Sequence, residues 1–469
     1  MKILLTGATG YIGKRLLPVL VEKGHDVVCC VRDLNRFNIP KSLKLKVSAI
    51  EVDMSNTTSL SKIPKDIEAG YYLVHSMAKK DYLKTELDCA VNFREILGKT
   101  NLRHLIYLSG IINEKTLSKH LISRRNVEKE LSLGKYNFTS IRSGIIIGSG
   151  SASFEIIRDL VEKLPIMVAP KWLLTRSQPI AISDVIKILN KTLNNSKTFN
   201  KNFDIGGPEI ISYKDILIRY SSLRGLQRRI FIVPVMTPKL SSYWLYFVTS
   251  TAYNLAVSLV ESMKVEVVCR DKSLENILSL KTISYEKSLQ NAFKKIEANE
   301  IISSWKDALI IDHFNVSDFI NVPKFGCVND TRKEKFDNRK DCVNRIWKIG
   351  GENGWYYANW LWRFRGFLDK LIGGVGLRRG RTNKTKLISG DVLDCWRVLY
   401  SNKEEGKLLL FAEMKLPGEA WLEFKILEDE LIQTATFRPK GLLGRLYWYS
   451  VAPLHAIIFN GMIKKLSRR

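Results

Sequence analysis

The chain has few acidic residues and no organised cysteine. Across 469 residues, 47 Asp and Glu stand against 74 Lys and Arg, a formal net charge of +27. An excess of that size attracts nucleic acid or anionic membrane when it is gathered into a stripe or tail. Here it is spread along the chain and no nucleic-acid motif occurs, so it reads as a lysine-rich surface and nucleic acid is not expected as a partner. The seven cysteines, Cys29, Cys30, Cys89, Cys269, Cys327, Cys342 and Cys395, are odd in number, scattered, and form no CxxC pair. That pattern argues against a disulfide framework or zinc cluster, predicts no metal site, and suits buried thiols in a reducing compartment. Internal repeats and low-complexity tracts are also missing. The one apolar stretch near membrane-spanning length, 243–260, is interrupted by Thr249, Ser250, Thr251, Asn254 and Ser258. A buried helix or hairpin is expected there, with membrane insertion the weaker alternative; peripheral membrane contact is not favoured for the protein. A strand pattern beginning at Lys2 argues against a signal peptide, and a cytoplasmic location is the expectation.

What is present points to two parts. The length exceeds one ordinary domain, and 45% hydrophobic residues supply sizeable cores. The boundary is expected near residue 300, giving parts 1–300 and 301–469. The first opens on an apolar run, Ile3-Leu4-Leu5, that leads into Gly7, Gly10 and Gly13 and then an amphipathic segment to Glu22. Strand, glycine turn and helix in that order make a cradle for a dinucleotide pyrophosphate, held on backbone N–H groups at the positive end of the helix. Gly7, Thr9, Gly10, Tyr11, Ile12 and Gly13 form the expected cradle. Further strands are expected over 26–31, 46–52, 70–74, 104–109 and 137–147, with helices over 88–97, 117–133, 154–164 and 183–193, the last capped by Ser183 or Asp184. Such alternation predicts a doubly wound parallel α/β (Rossmann) sheet with its ligand at the carboxyl ends of the strands. Arg32, directly after the second strand, stands where an acidic residue would hold a ribose 2′-hydroxyl. An arginine suits a 2′-phosphate, so NADP is the expected cofactor, with NAD the alternative.

Several later motifs fit one family. Glu51-Val52-Asp53-Met54, Tyr72-Leu73-Val74-His75-Ser76-Met77, Tyr107-Leu108-Ser109-Gly110, Ile141-Arg142-Ser143-Gly144 and Phe203 to Pro208 occur in order. With the glycine turn, they make residues 1–230 resemble the atypical, NmrA-like branch of the short-chain dehydrogenase/reductase superfamily. The resemblance implies that Asp53 and Met54 meet the adenine, that Val74, His75 and Ser76 lie along the cofactor, and that Ser109 is the active-site serine. The family's Tyr-xxx-Lys pair is replaced by His120 and Arg124, with Glu128 four residues further on. Ser109 and His120 would then polarise and protonate a carbonyl while Arg124 holds the nicotinamide ribose. Histidine can serve as a general acid, whereas arginine does not give up its proton. His75 is a second candidate beside the nicotinamide. Two functions follow: reduction of a carbonyl, quinone or enone of a hydrophobic small molecule by NAD(P)H, or a non-catalytic NADP(H)-binding sensor or structural protein with a lapsed active site. No oligomeric state follows from the sequence.

After residue 300 the alternation stops. Segment 324–341 reads as a charged, turn-rich loop, and 408–414, 420–427 and 431–437 as consecutive antiparallel strands before a closing helix over 447–466. This half resembles a C-terminal domain of undefined function fused behind NmrA-like domains. A smaller α+β, helix-grip-like fold around an apolar cavity is expected, with Arg397, Glu413, Glu423 and His455 converging inside it.

Overall fold

The computed structural model describes residues 1–32, 34, 37, 43–75, 82–112, 118–233, 257, 260–297, 322, 327–372, 374, 376, 381, 387–389, 391–439 and 441–468. Of the apolar stretch 243–260, only 257 and 260 fall within them, and the expected site residue Ser76 lies outside. The chain divides into two compact units, residues 1–249 with 253–312, and 250–252 with 313–469.

Unit 1 is built on β1 (Lys2–Thr6), α1 (Gly13–Glu22), β2 (Asp26–Val31), β3 (Val47–Glu51), β4 (Ala69–Tyr72), α2 (Tyr82–Leu97), β5 (His104–Gly110), α3 (Lys119–Leu131), β6 (Asn137–Ser143) and β7 (Lys201–Ile205). The seven strands form one parallel sheet in the order β7-β6-β5-β4-β1-β2-β3. Alternate side chains of β1 feed two separate cores. Ile3 and Leu5 pack with Leu16, Leu17 and Leu20 of α1. Leu4 packs on the other face with Phe93 and Leu97 of α2 and with Val127 and Leu131 of α3. Helices therefore cover both faces, as the near-continuous apolar strands require. The order reverses between β1 and β4, and a doubly wound sheet holds its ligand in the crevice at such a point.

Two local expectations change. The strand expected over 137–147 breaks after Ser143, and Ile146–Ile147 pairs instead with Ile180–Ala181. The helix expected from Ser183 runs over Ile182–Thr192, follows Ala181, and has no side-chain cap. The Asp184 carboxylate is fully buried and accepts from Ile283 N at 2.8 Å.

Unit 2 holds a six-stranded antiparallel sheet and a long closing helix. Its strands are β8 (Val328–Lys335), β9 (Val392–Leu393), β10 (Trp396–Asn402), β11 (Lys407–Ala412), β12 (Gly418–Leu427) and β13 (Glu430–Pro439), in the order β8-β13-β12-β11-β10-β9. The helix over Gly441–Ser467 buries Phe459, Met462, Ile463 and Leu466 in the same core as Leu408, Leu410, Leu422, Phe424 and Leu431. The segment expected as a loop, 324–341, contains β8 and the start of a helix over Arg339–Ile346. Among the described residues β8 pairs with β13 only, and its residues alternate between half-buried and exposed. Charged side chains suit an edge strand, because they discourage pairing with another chain.

Candidate active site at the β1–β4 crevice

The glycine turn is shaped by close approach. Gly7 has φ +68°, and a Cβ there would lie 2.7 Å from Leu73 O. A Cβ on Gly13 would lie 2.3 Å from Gly7 O. Both contacts are backbone, so neither position has room for a side chain, and helix α1 is drawn against the turn. The Thr6 hydroxyl, fully buried, donates to Tyr71 O at 3.0 Å and accepts from Leu73 N at 3.1 Å, joining the turn to the end of β4. Helix α1 starts directly after the turn, so its positive dipole end lies there, although Lys14 N, Arg15 N and Leu16 N are already bonded to Gly10 O and Ile12 O. This is a cradle that a pyrophosphate fits.

The other expected cofactor residues divide. Arg32 is exposed just beyond β2, and the register of β2 with β3 brings it beside Asp53. The Asp53 carboxylate accepts from Ser55 N at 2.9 Å and Ser55 Oγ at 2.7 Å through Oδ1. Met54 does not present its side chain to the crevice: it is buried with Val52, Leu60 and Ile63. Tyr11 turns inward, under the Arg15 guanidinium at 3.9 Å from the ring centre. Burial pushes its hydroxyl up to about 12. Thr9 and Ile12 are half-buried on the turn.

Of the residues expected to do chemistry, Ser109 lies near the end of β5, and His75, just past β4, meets His120 of α3. Ser109 lies two residues after Tyr107 on the same face of β5, 4% exposed, and its hydroxyl, although it feels the Tyr107 phenol, makes no hydrogen bond of acceptable geometry. His75 and His120, far apart in sequence, meet: their Nε2 atoms are 3.0 Å apart and the rings pack edge-on with centres 4.8 Å apart. Behind them stands a residue the sequence did not single out. Glu86 of α2, buried, takes His75 Nδ1 at 2.8 Å on Oε1 and the Ser123 hydroxyl on Oε2. Burial works against its charge, but His75, Arg124 and Ser123 bring its carboxyl down to about 2. Burial, then the Arg124 charge, lowers His75, although Glu86 opposes this. Burial, then His75 and Arg124, holds His120 well below the ordinary imidazole value. Both rings are therefore neutral at pH 7. The Nδ1 of His120 is buried with no hydrogen-bond partner. Buried polar atoms are nearly always paired, so an open one in a crevice marks a place for a ligand group.

Arg124 is only partly engaged by the protein, its Nε being buried without a hydrogen-bond partner. Its Nη1 donates to Leu108 O at 3.3 Å and to the Tyr107 hydroxyl at 3.4 Å, and it shares with Tyr72, Val74, Glu86 and Cys89 the lining of a cavity of about 30 Å³. Glu128 serves the fold: it is buried, and takes Ser140 Oγ at 2.6 Å and Arg142 Nε at 2.9 Å. No signal in a lone sequence marks Glu86, whose helix reads as an ordinary amphipathic one.

In unit 2 the four polar residues expected to converge do not. Arg397 and Glu413 form a buried pair at 2.8 Å. Glu423 pairs with Lys407 at 3.4 Å, and His455 with Asp330 at 3.2 Å. None of the seven cysteines forms a disulfide. Among the described residues no helix is long and apolar enough to cross a membrane, and no cluster of His, Cys, Asp and Glu could hold a metal ion.

Comparison with known proteins agrees with this division. Residues 3–112 match the NAD dependent epimerase/dehydratase family, and residues 328–462 match a protein family of unknown function, DUF2867. Divinyl chlorophyllide a 8-vinyl-reductase of Arabidopsis thaliana is 24% identical over 226 residues, 44% of this chain and 54% of that protein. Photosystem II assembly factor Ycf39 of Trieres chinensis is 22% identical over 248 residues, 52% of this chain and 75% of that one. The chain thus spans about half the length of the reductase relative. The Citrobacter sp. triphenylmethane reductase, solved with NADP(H), aligns with a TM-score of 0.51 at 13% identity, over 62% of this chain and 100% of that one. The epimerase Mth375 of Methanothermobacter thermautotrophicus gives 0.51 at 11% identity, over 64% and 94%. At such identities the solved structures speak for the fold. The chain thus joins an N-terminal segment that matches the NAD dependent epimerase/dehydratase family to a C-terminal segment that matches DUF2867.

Proposed function

We propose that the protein is an NADP(H)-dependent oxidoreductase that reduces a carbonyl, quinone or enone of a hydrophobic small molecule. The observation that carries this reading is His120 Nδ1, a buried polar atom without a hydrogen-bond partner on a helix that packs beside the crevice. A nicotinamide, when bound, supplies the hydride. The chain's own residues handle charge and protons: the Ser109 hydroxyl hydrogen-bonds the substrate oxygen, and His120 exchanges a proton with it. Arg32 at the end of β2 supports NADP over NAD, since a guanidinium pairs with a 2′-phosphate. In unit 2, the closing helix lies on the sheet as in a helix grip. Trp362 Nε1, Trp396 Nε1 and Gln433 Oε1 are buried there without hydrogen-bond partners, which supports a ligand that carries polar atoms as well as an apolar body.

One observation favours the rival, a cofactor-binding protein without turnover. Arg124 spends its Nη1 on Tyr107 and Leu108 rather than holding it ready for a ribose. The experiment that separates the two is to identify any nucleotide that co-purifies and then follow single-turnover oxidation of NADPH against a panel of carbonyls, enones and quinones. Turnover that Ser109→Ala abolishes supports the enzyme. Bound nucleotide with no turnover on any acceptor rejects it in favour of the rival.

A further inference from the structure

The hydrogen-bond chain behind the crevice has a direction. Glu86 is ionised, so its Oε1 accepts and His75 Nδ1 carries the hydrogen. A neutral imidazole protonated at Nδ1 has a bare Nε2. The 3.0 Å contact between the two Nε2 atoms then requires the hydrogen on His120. His120 in turn has a bare Nδ1, and that is the atom left buried without a partner. The tautomers follow from the network alone, each one fixing the next.

We infer that Glu86, His75 and His120 form a proton relay whose resting polarity makes His120 Nδ1 an acceptor, so that the site at rest takes a proton from a substrate hydroxyl and gives one up only after the relay has been loaded. This rests on the oxidoreductase reading given above. The steps balance as one concerted shift. The substrate O–H proton goes to His120 Nδ1. The proton on His120 Nε2 passes to His75 Nε2, and His75 keeps its Nδ1 hydrogen toward the Glu86 carboxylate. His120 ends neutral with its tautomer exchanged, and the one imidazolium formed, on His75, is paired with ionised Glu86. Reduction runs the shift backwards and needs one extra proton on the relay. Glu86 and His75 are positioning residues, acting through His120.

The groups facing the relay are Glu86 and Cys89 on α2, Tyr72 on β4, Tyr107 on β5, and Ser123 and Arg124 on α3. Arg124 opposes loading and Glu86 favours it, so the carboxylate is the group to remove. In the full chain labelled with ¹⁵N-histidine, NMR at pH 7.5 is expected to show a pyrrole-type Nδ1 on His75 and a pyridine-type Nδ1 on His120, the signals assigned with His75→Asn and His120→Asn. Glu86→Gln is expected to scramble the His75 tautomer and to move the pH inflection of single-turnover reduction down by about one unit or more, because an anion within hydrogen-bond reach is lost. A proton on His120 Nδ1 in the free protein overturns the relay, as does a Glu86→Gln inflection that stays in place while only the amplitude falls. The spectra need no turnover. If the tautomers are as assigned and no acceptor is reduced, the relay stands and the oxidoreductase reading fails.

Discussion

The two units bury charge in opposite ways. In unit 2 several buried ionic groups are held by partners within the unit. Arg397 and Glu413, 1% and 0% exposed at their side chains, satisfy each other. Asp394 takes Trp355 Nε1 at 3.0 Å and Gly351 N at 3.2 Å, and Asp369 takes Gly376 N at 2.7 Å and Lys415 N at 2.8 Å. In unit 1 the chain from Glu86 through His75 stops at a nitrogen with nothing to bond. A closed buried network holds loops and strands in place. An open one is costly to the fold unless a ligand completes it, and that is the physical signature of a reactive site.

This contrast can be tested by breaking each network. Glu413→Ala removes the carboxylate paired with the buried Arg397 guanidinium, and should cost roughly 3–5 kcal/mol in unit 2 stability by denaturant titration. A loss under about 1 kcal/mol would mean that the pair is not closed. His120→Phe should do the reverse. Turnover should fall by roughly two to four orders of magnitude, with NADPH affinity and the unfolding midpoint held. An equal loss of stability would make His120 structural.

His104 sharpens the comparison within unit 1, because it is a closed histidine. Its Nδ1 accepts from Asn194 N at 3.0 Å and its Nε2 meets Thr139 Oγ1 at 2.9 Å. Burial lowers it to about 4 from an ordinary 6.5. A folded value below the unfolded one stabilises the native state fully above pH 6.5, and that stability is lost as pH falls through the folded value. Urea midpoints of wild type should drop between pH 6.5 and about 4, and His104→Asn, whose amide can accept and donate without titrating, should flatten part of that slope. The smallest effect belongs to the cofactor end. Arg32→Ala should weaken NADPH binding about tenfold and leave NADH unchanged, as measured by fluorescence titration. Equal affinities in the wild type would remove the NADP preference.

Much of unit 1 is legible in the sequence because period and punctuation agree there. The apolar runs, the glycines and the alternation with helices all point to one sheet. Ser109, His75 and His120 are readable as separate candidates. Their union is not, since 45 positions separate the two histidines and only the packing of α3 against the strand ends brings them together. Glu86 escapes notice because a glutamate on an amphipathic helix is normally solvated. Segment 324–341 misleads for a similar reason: an edge strand with solvent along one side carries charges at positions where a central strand would be apolar. Met54 shows the converse, as its place in a motif suggests a ligand contact while its apolar side chain goes to the core.

Thr6 ties the two ends of the site into one part. Its hydroxyl is bonded to Tyr71 O and Leu73 N, and Leu73 O closes on Gly7, so the phosphate turn and the peptide leading to His75 share a single seam of backbone. A shift of the turn is expected to reach the imidazole, which lies two residues of chain beyond Leu73. Engineering this protein for a different nucleotide would therefore retune its proton chemistry as well, and variants selected for one trait should carry changes in the other.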